Sequence, residues 1–284
     1  MNILSIQSHV VYGHVGNAAA TFCIQRLGVE VWPILTVQFS NHTGYSDWTG
    51  PVFDGAMVSA LLDGVEARGV LPQCSGVLSG YVGGDDIGAA IIDAVTRVRK
   101  ANPSAIYCCD PVMGDYGRGL YVSDGIPGFM KHQAMGFADI LTPNQFELEL
   151  LTDSKATSRR DVFRAVSELQ SRGPRVVAVT SVTTGETPAD AIEVLVGENG
   201  GFWLVRTPRF DTIPVSGTGD VIASLFFVHY LRTRSAVAAL EAATSSTYSI
   251  LKRSVEAASP ELLLIDAQEE IVRPTWTFTA EKVG

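Results

Sequence analysis

Strand-length apolar runs alternate with amphipathic segments along most of this chain, and no other property of the sequence restricts the fold as strongly. A strand covered on both faces reads as a short unbroken apolar run, whereas a helix lying on a sheet shows apolar residues every three or four positions. The first pattern predicts strands at Asn2–Ser8, Glu30–Phe39, Gly76–Ser79, Ala105–Cys109, Asp139–Leu141 and Arg175–Ser181, then Ala191–Val196 and Phe202–Thr207. The second predicts helices near Asn17–Leu27, Gly55–Arg68, Asp85–Lys100, Gln145–Leu151 and Ser158–Arg172. Interleaved in this order, they specify a three-layer α/β/α fold with a mostly parallel central sheet and helices on both faces.

The last third changes character. Gly197-Glu198-Asn199-Gly200-Gly201 joins two strands as a hairpin. Helices follow at about Gly217–Leu231 and Ser235–Arg253, with a short one near Asp266–Val272 stopped by Pro274. No linker, repeat or low-complexity stretch interrupts the pattern, so residues 1–284 are expected to form one domain.

Open α/β sheets bind ligands beyond the carboxyl ends of their strands. The loops there are Ser8–Gly16, Ser40–Gly50, Gly80–Asp86, Asp110–Gly119, Thr142–Glu147, Ser181–Pro188 and Pro208–Asp220. They carry nearly all the chemistry-bearing residues.

Ser216-Gly217-Thr218-Gly219-Asp220 is the most pointed of these segments. Glycines at a helix start let the backbone approach a phosphate, and the free N–H groups there point at an anion. One reading makes Asp220 an ordinary first-turn carboxylate favoured by the helix dipole. The other makes it a general base for a nucleophile attacking that phosphate. The run Val221–Val228 is apolar all round, which predicts a buried helix whose start opens into a pocket.

The net charge of −9, with no block of lysine or arginine, excludes nucleic acid and anionic membrane as natural partners. It also requires any bound polyphosphate to be neutralised locally, by cations and backbone N–H groups. Asp110-Pro111-Val112-Met113-Gly114-Asp115 offers two hard carboxylates suited to Mg²⁺ or a monovalent cation, or else a polar turn. Gly114, Gly117 and Gly119 suit a lid over a nucleotide. Thr142-Pro143-Asn144-Gln145-Phe146-Glu147 reads equally as a helix cap and as a metal–phosphate shell. His9 and His14 have no Cys or carboxylate partners at metal-ligand spacing and read as structural, while Ser8 is the better candidate for a substrate contact. Phe39–Tyr45 and Gly80-Tyr81 supply aromatic and hydroxyl groups of the kind that grip a flat heterocycle.

No apolar run reaches the length of a membrane span, and the N-terminus reads as a buried strand rather than a signal peptide. Cys23, Cys74, Cys108 and Cys109 lack metal-ligand spacing, and the adjacent pair should point to opposite faces of a strand. A reducing, cytoplasmic setting is therefore expected.

Taken in order, S-H-V-V-Y-G-H-V-G-N, F-S-N-H-T-G-Y, D-P-V-M-G-D, T-P-N-Q-F-E and G-T-G-D resemble the motifs of the pyridoxal kinase family, in particular its PdxY type, within the ribokinase-like superfamily. The resemblance covers essentially the whole chain. It implies ATP-dependent phosphorylation of the 5′-hydroxymethyl group of pyridoxal, with pyridoxine and pyridoxamine as further acceptors. It implies Asp220 as the base, with Gly217 and Gly219 as an anion hole. Ser8 and Thr43 would hydrogen-bond the ring substituents or the ring nitrogen, Gly44 would also meet the substrate, and Val15, Phe39 and Tyr81 would pack on the ring. Asp110 and Thr142 would form a site for a monovalent cation such as K⁺, and Asp115, Asn144 and Glu147 an Mg²⁺–phosphate shell. Tyr121, Thr180, Ser181, Thr207, Pro208, Arg209, Phe210 and Thr218 would contact the nucleotide, and a homodimer is implied. Some PdxY-type chains carry a lysine near Thr180 that this one lacks, which leaves more of the neutralisation to cations and the helix start. A related kinase of hydroxymethylpyrimidine or a sugar is the runner-up reading. A vitamer-binding protein without catalysis would have no need for Asp220, Gly217, Gly219, Asp110 and Glu147 together.

Overall fold

A computed structural model describes residues 1–210 and 215–284; the stretch 211–214 of the expected loop Pro208–Asp220 lies outside the described residues. The strands are β1 (Asn2–Val10), β2 (Glu30–Phe39), β3 (Cys74–Ser79), β4 (Ile106–Cys109), β5 (Gly114–Asp115), β6 (Gly119–Leu120), β7 (Ile140–Leu141), β8 (Val176–Val182), β9 (Ala191–Glu198), β10 (Gly201–Pro208) and β11 (Glu281–Lys282). Nine of them form one sheet in the order β11-β10-β9-β8-β7-β4-β3-β1-β2, while β5 and β6 pair only with each other. From β2 to β8 every pairing is parallel, and β9, β10 and β11 extend the sheet antiparallel. The chain crosses from β2 past β1 to β3, so the switch point lies at the carboxyl ends of β1 and β3.

The helices are α1 (Asn17–Arg26), α2 (Gly55–Glu66), α3 (Asp85–Ala101), α4 (Ile126–Phe129), α5 (Met135–Phe137), α6 (Gln145–Thr152), α7 (Arg159–Arg172), α8 (Thr218–Thr233), α9 (Ala236–Glu256) and α10 (Gln268–Val272). They divide between two faces, each with its own apolar core. Side chains of α2, α3, α6 and α7 pack with Leu4, Val77, Tyr107, Cys109, Leu141 and Val177. Side chains of α1, α8 and α9 pack with Ile3, Leu78, Ile106, Cys108, Ile140 and Val176. Neighbours in sequence thus go to opposite cores, as the two-residue period of a strand demands. Cys108 and Cys109 obey it, and all four cysteines are buried free thiols.

Local chemistry sets the helix starts. Asp54 accepts the N–H of Met57 to open α2, and Ser235 that of Ala238 to open α9. Reciprocal side chain–backbone bonds join Asn144 to Glu147 and Ser158 to Asp161 at the heads of α6 and α7. Helix α8 is buried along Val221–Val228, as its apolar run predicts.

Four features differ from the sequence reading. Strand β1 continues to Val10, past a register shift between Gln7 and His9, so Ser8 sits inside the strand rather than at its end. A helical stretch spans 126–137, with a π-helical Met130–Ala134 between α4 and α5; Pro127, Gly128 and Gly136 hide it from propensity arguments. The hairpin β5–β6 replaces the simple loop expected after β4. Strand β11 returns to pair with β10 through Trp203 and Leu204.

Candidate active site

Two glycines bring the first loop of the chain onto the start of α8. Gly217 caps that helix with φ +93°, and a Cβ there would lie 1.9 Å from the carbonyl oxygen of His14. Gly16 has φ +53°, and a Cβ there would lie 2.3 Å from both the carbonyl and Oγ of Ser8. No L side chain fits either place. The N–H of Gly16 in turn donates to the Asp220 carboxylate. Ser8, Gly16 and Asp220 are therefore consecutive links of one contact chain, although Ser8 and Asp220 belong to different elements. Asp220 lies in the first turn of α8; burial lifts its carboxyl from 3.8 to about 6, and the bonds from Gly16 and from its own N–H hold that rise down. Gly219 is exposed, and no atom lies within 4 Å of where its Cβ would be. The helix start therefore faces free space, as an anion site requires.

Three of the expected ring-packing residues meet. Val15 and Tyr81 pack against a small cluster of Val10, Val37 and Phe39, with the Trp48 ring 6.4 Å from that of Phe39. Burial raises the Tyr81 phenol. The loop 39–45 is fixed by a residue far away in sequence. Glu261 Oε1 accepts from Tyr45 Oη at 2.6 Å and pairs with His42 Nε2 at 3.0 Å, and this carboxylate is nearly buried. His42 Nδ1 accepts the N–H of Gly44, which places Gly44 beside Ser216. Thr43 is held through its carbonyl oxygen, which accepts from Arg118 at 3.0 Å.

The acidic residues gather behind this site. Thr142 Oγ1 donates to Asp110 Oδ1 at 3.0 Å, both residues being buried. Burial raises the Asp110 carboxyl well above the ordinary range, and Glu147 and Asp220 push it further. Glu147 is 3% exposed. Its Oε1 accepts from the N–H groups of Met113 (2.8 Å) and Gly114 (3.4 Å), and its Oε2 from Asn144 (2.9 Å). Burial nevertheless pushes it up to about 7. Asn144 completes the cradle by donating to the Gly114 carbonyl at 2.8 Å. Asp115 Oδ1 accepts the N–H groups of Gly117 and Arg118, both at 2.8 Å, and so closes the β5–β6 turn.

Among the described residues no group of three or more His, Cys, Asp and Glu is set as a ready metal cage. Asp110, Asp115, Thr142 and Glu147 are thus not assembled as one direct ligand set, and Glu147 is committed to backbone donors. The rise of the Asp110 carboxyl under the charges of Glu147 and Asp220 nonetheless fits a cation placed beside it.

The expected nucleotide contacts are spread along the same sheet edge. Burial raises the Tyr121 phenol, and the charges of Glu147, Asp115, Asp110 and Asp220 push it further. Thr180 bridges to Asn144 across the strands, and Ser181 adopts φ +55° where the β8–β9 register shifts. Thr207 is buried near the end of β10, Pro208 and Arg209 are exposed, and Phe210 stacks on Tyr248 of α9 at 5.2 Å. A separate recess of about 410 Å³ lies between Tyr116, Gln145, Lys155 and Thr183–Gly185 and contains none of the expected site residues.

Sequence reasoning missed Gly16 as the donor to Asp220 and Glu261 as the anchor of loop 39–45. The glycine pattern of residues 13–16 was a signal for the first; nothing local marks the second.

Residues 84–261 match the family model described as phosphomethylpyrimidine kinase. The chain is similar to the pyridoxal kinase PdxY of Granulibacter bethesdensis, at 53% identity with 99% of each chain covered. It is similar to that of Deinococcus radiodurans at 54% identity, covering 99% of this chain and 96% of the other. Among solved structures it resembles the pyridoxal kinase from Leishmania donovani in complex with ADP and pyridoxamine, with TM-score 0.92 and 27% identity over 100% of this chain and 99% of that one.

Proposed function

The chain belongs to the pyridoxal kinase family, an ATP-dependent kinase family acting on B6 vitamers, and we propose that Asp220 takes the proton of the vitamer 5′-hydroxyl as it attacks the γ-phosphorus of ATP. The product is pyridoxal 5′-phosphate when pyridoxal is the acceptor. The observation that carries this reading is the position of Asp220: in the first turn of α8, beside the open space at Gly219 and tied through Gly16 to Ser8.

An alcohol is too weak an acid to ionise beforehand, so the proton moves late, as the phosphoryl group transfers. A carboxyl raised to about 6 is still ionised at neutral pH yet basic enough to accept it. The N–H groups of Gly217, Thr218 and Gly219 face the phosphoryl oxygens, and the helix dipole favours their charge. Val15, Phe39 and Tyr81 cover the pyridine ring, with Ser8, Thr43 and Gly44 at its substituents. Tyr121, Thr180, Ser181 and the segment Thr207, Pro208, Arg209, Phe210 hold the nucleotide.

Mg²⁺ would sit with the phosphates near Asp115, Asn144 and Glu147, through water where Glu147 is committed, and K⁺ near Asp110 and Thr142. These cations supply the positive charge that the acidic chain lacks. Residues 1–284 act as one cytoplasmic domain in this reading; among the described residues no helix is long and apolar enough to cross a membrane. The exposed Val11, Tyr12, Trp48 and Val52 offer apolar surface on which two copies could pair as a homodimer.

The test compares phosphorylation of pyridoxal, pyridoxine, pyridoxamine and hydroxymethylpyrimidine by the wild type and Asp220→Asn. The pyrimidine belongs in the panel because the family model carries that description. The vitamers should be phosphorylated faster than the pyrimidine, and Asp220→Asn should bind both substrates while turnover falls at least ~100-fold. Near-normal turnover in Asp220→Asn would remove the base assignment.

A further inference from the structure

The β5–β6 hairpin stands apart from the main sheet and touches both halves of the site. Its base belongs to the acidic cradle. Asn144 holds the Gly114 carbonyl, Glu147 holds the Gly114 N–H, and Tyr116 packs edge-on against Phe146 with centroids 5.5 Å apart. Its tip belongs to the other half. The Asp115 side chain fixes the Arg118 backbone, and the Arg118 guanidinium reaches 75 residues back in sequence to the Thr43 carbonyl at 3.0 Å, with Thr43 Oγ1 at 3.5 Å. The same guanidinium lies over the Tyr121 ring, 4.8 Å from its centroid.

Both contacts of Arg118 mark the interval between the two substrates. Tyr121 closes the hairpin, its N–H donating to the Met113 carbonyl at 3.0 Å, and its phenol feels the charges of Glu147, Asp115, Asp110 and Asp220. Thr43 adjoins Gly44, which lies against Ser216 at the head of the G-T-G-D turn. Among the described residues Arg118 enters no ion pair, although the neighbourhood is acidic. Its charge is spent on a neutral carbonyl and a ring face. That is the behaviour of a strap rather than of a surface charge pair.

We propose that Arg118 is a positioning residue that latches the nucleotide-side hairpin onto the vitamer-side loop 39–45, so that the hydroxyl and the phosphoryl group are aligned, and water kept out, only while the latch is made. The inference rests on the kinase reading above. Freed of the latch, the hairpin would still contribute to the cradle but would no longer register it against Thr43. Alignment would suffer, and water would gain access to the phosphoryl group.

The experiment uses the full chain with Arg118→Met and Arg118→Lys. In Arg118→Met, kcat should fall roughly 10–100-fold with the ATP KM within about threefold, and ADP formed per phosphorylated vitamer should rise above one. Arg118→Lys, which can still donate to the Thr43 carbonyl, should recover a large part of kcat. Independently of the acceptor, adding Mg-ATP should slow amide exchange in residues 39–45 of the wild type and not of Arg118→Met. Unchanged kcat and unchanged ADP stoichiometry in Arg118→Met, or equal protection of 39–45 in both proteins, would overturn the proposal. A wild type inert toward every vitamer would instead defeat the kinase reading, and the exchange measurement would still decide the latch.

Discussion

Replacing Glu147 by glutamine should change stability in opposite senses at low and high pH. In the unfolded chain this carboxyl ionises near 4.5, and in the folded protein burial moves it to about 7. Between those values the unfolded chain has released its proton while the folded one retains it, so stability falls as pH rises through that window and levels off above it. The penalty is about 1 kcal/mol at pH 5 and about 3 kcal/mol at pH 8.5. Glutamine abolishes it at both. It also presents an NH₂ to one of the backbone donors of Met113, Gly114 and Asn144, and an unsatisfied buried donor costs about 1–3 kcal/mol at any pH. Relative to wild type, Glu147→Gln should therefore gain about 2–3 kcal/mol between pH 5 and pH 8.5. Urea unfolding at the two pH values, in chelator and without potassium, measures this. A wild-type-to-variant difference that is the same at both would refute the claim that burial strains this carboxylate. Mg²⁺ or K⁺ should narrow the gap by stabilising the ionised wild type.

Two glycines of the anion turn should behave oppositely. Gly217→Ala forces a side chain into φ +93° and onto the His14 carbonyl, and should cost about 2–5 kcal/mol in unfolding free energy. Gly219→Ala meets no atom within 4 Å, so its stability should stay within ~1 kcal/mol of wild type while turnover falls, because its methyl enters the space left for phosphate; equal stability losses would contradict the geometry. Removing the anchor of loop 39–45 with Glu261→Ala takes away the one oxygen, Oε1, that accepts from Tyr45 and pairs with His42. Steady-state kinetics should then show a raised vitamer KM with the ATP KM unchanged, and a change in both equally would show that the residue serves general stability.

Much of this architecture was legible because it is written locally. A buried strand such as Val176–Val182 announces itself by composition, and the cap at Asn144–Glu147 by spacing. The cluster of Val15, Phe39 and Tyr81 was legible one step further on, since all three lie at or just past strand ends that must share one side of the sheet. What escaped depends on contacts between distant segments. Glu261 reaches His42 across 219 positions, and no periodicity encodes that. The stretch 126–137 escaped for the opposite reason: its glycines and proline argue against a helix locally, and burial of Ile126, Phe129 and Met130 in the core outweighs them. Ser8 was placed at a strand end because its polarity resembles a loop, whereas pairing with β2 carries the strand on to Val10.

Gly16 meets Asp220, His14 meets Gly217, and Gly13 lies against Glu261. Strand β1, which precedes every other described element in sequence, thus depends for its catalytic meaning on segments made more than two hundred residues later. A ribosome must release the chain as far as Asp220 and Glu261 before these contacts can close, so the nascent protein is chemically silent until then, however well its early β–α units have formed. Activity in this chain reports that its distant segments have met: it should lag the recovery of helical content on refolding, and no fragment ending before Glu261 should carry it.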